Sequence, residues 1–143
     1  MKVNEIMTSQ VEMISSDATL VEAASKMKSL NVGSLPICEG DELLGIITDR
    51  DITIRAVAQG KDPSITSVSQ VMTPEVIYCY EDDDISEAAS MMEDNCIRRL
   101  LVLDSDENLC GFLSLADFSV KSQDEHLTYE VLEQVSEPAC PQR

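Results

Sequence analysis

Two short stretches carry the residue types from which a ligand site could be made: Thr48-Asp49-Arg50-Asp51 and Ser114-Leu115-Ala116-Asp117. In each, a hydroxyl residue is followed three positions on by an aspartate. A carboxylate accepts hydrogen bonds from two neighbouring hydroxyls at once. A helix that begins at the hydroxyl residue also offers unpaired N–H groups to an anion. The same spacing is a helix N-capping pattern, which contributes about 1 kcal/mol with no ligand present. Both readings place a helix start at Thr48 and at Ser114.

Each stretch closes a Gly-led apolar run, Gly45-Ile46-Ile47-Thr48 and Gly111-Phe112-Leu113-Ser114, so the pattern occurs twice. The surrounding elements repeat as well. Met7-Thr8 and Met72-Thr73 lead into β-capable runs at Val11–Ile14 and Val76–Cys79. Thr19 with Glu22, and Asp84 with Glu87, have capping-box spacing, and Glu-Ala-Ala-Ser recurs at 22–25 and 87–90. Leu20, Ala23, Ala24, Met27 and Leu30 then fall on one helical face, with periodicity ending at Leu30 and Asn95.

A hairpin follows in each copy, 32–38 with 43–48 and 97–103 with 109–114, around polar turns. The second helices take apolar positions from Ile52, Ile54, Ala56 and Val57, and from Phe118 and Val120. Gly60–Ser64 links the copies. Leu127, Val131, Leu132 and Val135 suit one more amphipathic helix, and Glu137–Arg143 is expected to be disordered.

The expected fold class is α+β, with two β-α-β-β-α repeats at residues 1–62 and 63–122 and a tail at 123–143. A three-stranded sheet with two helices buries too little surface to stand alone. Packing two copies sheet to sheet, with pseudo-two-fold symmetry, makes one module.

Composition narrows the function. The net charge is −17, with six Lys/Arg against ten Asp/Glu in 1–65 and four against seventeen in 66–143. Such a chain opposes nucleic-acid and anionic-membrane binding. No apolar run is long enough to span a bilayer and the start lacks signal-peptide character, so a cytoplasmic location is expected. Aromatics are 3%, which leaves an aliphatic core. Five cysteines without C-x-x-C, and the single His126, spell no metal site. Cys38 with Cys79 is one pair that a cysteine-only metal or redox site could use. No nucleophile–base pair is evident either, so no enzyme activity is expected.

The ordered pattern resembles the tandem cystathionine-β-synthase-type (CBS) domain pair, or Bateman module, in its small stand-alone bacterial form. The residues that carry the likeness are Met-Thr before strand one, the Glu-Ala-Ala helix, Val32-Gly33-Ser34-Leu35-Pro36-Ile37, and the twin Gly-led turns. The resemblance implies a non-catalytic regulatory module with two clefts for adenosine-containing ligands (AMP, ADP, ATP or S-adenosylmethionine) and no obligatory cofactor. Ile46, Thr48 and Asp51 with Ile77, Ile97 and Arg98 would form the first cleft. Phe112, Ser114 and Asp117 with Glu12, Met13, Val32 and Gly33 would form the second. Arg50, Arg55, Arg98 and Arg99 gather anion-binding capacity in the first, and the acidic surroundings favour AMP or ADP over ATP.

The resemblance also implies a homodimer through the helices, with an unknown protein partner. Met27, Met91, Met92 and the Leu127–Val135 segment are candidate contacts. A ligand-independent dimeric scaffold or stress-response protein is the alternative. Within the pattern, Leu101 replaces the proline that Pro36 supplies, which leaves a backbone donor free in that strand.

Overall fold

The computed structural model describes residues 1–137. A short helix α1 (Val3–Ile6) is followed by β1 (Ile14–Ser15), α2 (Leu20–Leu30), β2 (Ser34–Glu39) and β3 (Glu42–Thr48). A helix then begins as α3 (Asp49–Asp51) and continues as a π-helix over Ile52–Val57. The second repeat gives β4 (Tyr78–Tyr80), α4 (Ile85–Asn95), β5 (Arg99–Leu103), β6 (Leu109–Ser114) and α5 (Leu115–Lys121), and then α6 (Glu125–Val135). The sheets run β1-β2-β3 and β4-β5-β6. In each, the first pair is parallel and the second antiparallel. The α+β class and the β-α-β-β-α order are those expected from the sequence.

Helix boundaries follow local chemistry. Thr19 caps α2 reciprocally: its hydroxyl accepts from the Glu22 amide at 3.2 Å, and its own amide donates to Glu22 Oε2 at 3.0 Å. At α4 the expected box does not close. Asp84 instead accepts from the Ser86 amide and hydroxyl, and so satisfies the cap one position earlier. Asn31 and Cys96 end the two helices in the left-handed conformation.

The first strands are shorter than the runs expected at Val11–Ile14 and Val76–Cys79, and Pro36 explains a difference between them. The β4–β5 ladder starts at Tyr78 opposite Leu101, whereas the β1–β2 ladder starts one pair later, at Ile14 opposite Ile37. The missing pair would be Met13 with Pro36, and proline has no N–H to contribute. Lys26 Nζ takes the Met13 carbonyl instead, at 2.7 Å. Leu101 therefore lengthens its ladder; it does not leave that strand with an idle donor.

The lead-in segments add a partner to each hairpin. Thr73 forms a two-way bridge with Ile46 in β3, and Thr8 does the same with Phe112 in β6. Each repeat's Met-Thr thus pairs with the other repeat's last strand. The chain accordingly divides into two compact units, one of Glu12–Val76 and one of Met1–Val11 with the chain from Ile77 onward. This partition differs from the sequence repeats because the lead-ins are exchanged.

Each unit has its own aliphatic core. In the first, Leu20, Ala23 and Met27 pack with Leu35, Ile37, Ile47, Ala56, Val68 and Val71. Ala24 and Leu30, expected on the same face, are exposed. In the second, Ile85, Ala88, Ala89 and Met92 pack with Val3, Ile6, Leu113, Phe118, Val131 and Val135. Met27 and Met92 are therefore core residues, and Met91 packs beside the core, so none of the three is a free contact. The buried face of α6 lies against its own unit, leaving Tyr129 and Leu132 outward. Among the described residues no helix is long and apolar enough to cross a membrane. The disorder expected over Glu137–Arg143 falls, apart from Glu137 itself, outside the described residues.

Candidate functional site

Both hydroxyl–aspartate stretches form the predicted helix-opening turns, one in each unit. At the first, the Thr48 amide donates to Asp51 Oδ2 at 3.0 Å, and the Asp51 amide donates to Thr48 Oγ1 at 3.0 Å. At the second, the Ser114 amide donates to Asp117 Oδ2 at 2.9 Å and the Asp117 amide to Ser114 Oγ at 3.3 Å. These reciprocal bonds fix the carboxylates without any ligand. The loop before the hairpin borders each turn: Gly33 accepts from the Asp49 amide at 2.9 Å, and Arg98 from the Leu115 amide at 3.3 Å.

Beyond the caps the two turns differ. The Asp117 side chain is 6% exposed, and its Oδ1 accepts from Thr8 Oγ1 at 3.2 Å and from Lys121 Nζ at 3.0 Å. Ser114 Oγ adds a bond to Oδ2 at 3.1 Å. Asp51 is 13% exposed, and Arg55 Nε stands 3.8 Å from its Oδ1, beyond hydrogen-bond reach. The π-helix accounts for that gap. Its bonds close at i+5, as from the Ala58 amide to the Thr53 carbonyl, so residues i and i+4 no longer stack as in an α-helix. Arg55 turns to the Val71 and Met72 carbonyls, at 3.3 and 3.2 Å.

The structure thus separates the expected residues by unit. Ile46, Thr48, Arg50, Asp51, Met13, Val32 and Gly33 lie in Glu12–Val76; Ile77, Ile97, Arg98, Ser114 and Asp117 lie in the other. Ile46 is held between Pro36 and Thr73, and Ile77 and Ile97 pack beside their unit's core. Arg50 and Arg98 are exposed. Arg99 stacks on the Phe112 ring at 4.7 Å, and Arg55 bonds to the Val71 and Met72 carbonyls, so each of these expected anion ligands has a contact within the protein. Sequence reasoning missed Thr8 at Asp117, and it read Lys121 as the one cation on that helix without pairing it to Asp117. The repeated Met-Thr ahead of strand one was the available signal for Thr8. A separate open cavity of about 510 Å³, lined by Met13, Ser15, Asp17, Cys38 and Glu39, touches only Met13 among the expected adenosine-ligand residues.

Among the described residues, Cys38 and Cys79 are free, buried and in different units, and Cys110 is also free. Cys140 lies outside the described residues. Among the described residues no three His, Cys, Asp or Glu side chains cluster to hold a metal. Burial, then the charge of Asp83, pushes the Cys79 thiol up to about 12 from the ordinary 9.0. Burial, then Glu81, raises Cys110 to about 11.

A thiol that keeps its proton longer when folded stabilises the fold fully below the unfolded value. That contribution disappears as pH rises through the folded value. Urea midpoints are therefore expected to hold at pH 7–9 and to fall from there towards pH 11. In Cys79→Val the fall should be shallower, and an unchanged slope would remove the thiol as its cause.

A family model described as CBS domain matches residues 3–57 and 68–121. The CBS domain-containing protein YhcV of Bacillus subtilis (strain 168) is 38% identical over 134 residues, 94% of each chain. A crystal structure of Hypoxic Response Protein I with two coordinated zinc ions superposes with a TM-score of 0.75 at 32% identity, covering 83% of this chain and 97% of that one. The CBS domain pair of protein MJ0100, in complex with 5′-methylthioadenosine and S-adenosyl-L-methionine, gives 0.71 at 29% identity, covering 83% and 93%.

Proposed function

Since this chain belongs to the CBS-domain family, we propose that it is a non-catalytic regulatory module that senses an adenosine-containing ligand. AMP or ADP fits better than ATP, because residues 66–143 carry four Lys/Arg against seventeen Asp/Glu and repel added phosphate charge. The carrying observation is the pair of carboxylates pre-set by their own capping turns, of which Asp51 keeps an oxygen open to a ribose diol. The adenosine compounds held by the MJ0100 domain pair support the same ligand class. Ile46, Thr48, Arg50 and Asp51 are the proposed ligand residues of one unit, with Ile77, Ile97, Arg98, Ser114 and Asp117 in the other. Met13, Val32 and Gly33 complete the set.

Ligand binding biases the protein's association with a partner only through differential affinity for two arrangements. The proposed assembly is a homodimer that meets a further protein. A thermal-shift screen with AMP, ADP, ATP, S-adenosylmethionine, 5′-methylthioadenosine and NAD tests the reading. A ligand at 100-fold its Kd adds roughly 2.7 kcal/mol to folded-state stability. Silence from all six compounds would replace the sensor with a ligand-independent dimeric scaffold.

A further inference from the structure

The two turns are not equally able to receive a ligand, and the chain's own side chains account for the difference. An ionised carboxylate has about four acceptor sites. Asp117 meets four donors from its own unit: the Ser114 amide, Ser114 Oγ, Thr8 Oγ1 and Lys121 Nζ. Nothing remains there for a diol. Asp51 receives the Thr48 amide on Oδ2, while Arg55 stays at 3.8 Å from Oδ1 and bonds to the Val71 and Met72 carbonyls. The π-helix over Ile52–Val57 keeps Oδ1 open, whereas the regular helix α5 brings Lys121 onto Asp117 at i+4.

We infer that the chain takes one adenosine-type ligand, through Asp51, and that Thr8 and Lys121 are specificity-determining residues that close the Asp117 turn. This rests on the sensor reading and adds to it a stoichiometry and an identity for the closed turn. Lys121 has 45% of its side chain exposed, so it can be changed without opening the core.

Isothermal titration with AMP, ADP, 5′-methylthioadenosine and S-adenosylmethionine provides the test. The wild-type chain is expected to bind one equivalent. Asp51→Asn should weaken binding at least tenfold. Lys121→Met, alone or with Thr8→Val, should raise the stoichiometry towards two. Should the double variant not fold, the single Lys121→Met decides. Two equivalents on the wild type, a single site that survives Asp51→Asn, or one equivalent still on Lys121→Met would overturn this inference while the sensor reading stands. No heat from any of the four compounds on the wild type would overturn both.

Discussion

Phe118→Ala is expected to lower the unfolding free energy by about 3–5 kcal/mol, as measured by urea denaturation. Phe118 is fully buried and heads the large buried side chains. It shares a core with Val3 and Ile6 of α1, Leu113 of β6, and Val131 and Val135 of α6. A cavity at this point therefore loosens segments from both ends of the sequence at once. Since ordinary domains are stable by only roughly 5–15 kcal/mol, the variant should lose a large share of its stability. Phe118→Leu, which keeps more of the volume, should cost less. Ile52 holds the equivalent place in the first repeat and is only partly buried, so Ile52→Ala should be milder. Equal losses at 52 and 118 would contradict this packing difference.

The second large effect is expected at the two organising glycines. A Cβ on Gly45 would lie 2.8 Å from the Thr73 carbonyl oxygen and 2.9 Å from Met72 Sδ. One on Gly111 would lie 2.8 Å from both the Thr8 carbonyl oxygen and Met7 Sδ. The sulfurs can swing aside, but the carbonyls are held by the two-way bridges to Ile46 and Phe112. Gly45→Ala and Gly111→Ala should therefore cost about 1–3 kcal/mol each. They should also speed hydrogen exchange at the Ile46 and Thr73 amides in the first case, and at Thr8 and Phe112 in the second. Gly40→Ala is the control: its Cβ meets nothing within 4 Å, and only its φ of +60° opposes it. If Gly45→Ala matched that control, the lead-in would not be pressed against β3.

These expectations rest on features of unequal legibility. The capping turns at Thr48 and Ser114, the Thr19–Glu22 box, both hairpins and the ends of α2 and α4 were readable because each depends on residues a few positions apart. The Cα register of the first strands was not, since it turned on the missing Pro36 N–H in a neighbouring strand. Neither was the loose Arg55–Asp51 pair. The sequence places Arg55 four residues after Asp51, as it places Lys121 after Asp117, and the helix type separates the two cases.

By itself, then, the amino-acid order determined a duplicated α+β chain, its family pattern and the two aspartates set by their own caps. Tertiary structure decided which hairpin each Met-Thr segment joins and what else surrounds each aspartate. Thr8 reaches Asp117 across 109 positions of sequence. A contact of that separation leaves no local spacing to read, because it exists only after the segment has paired with the edge of another repeat's sheet.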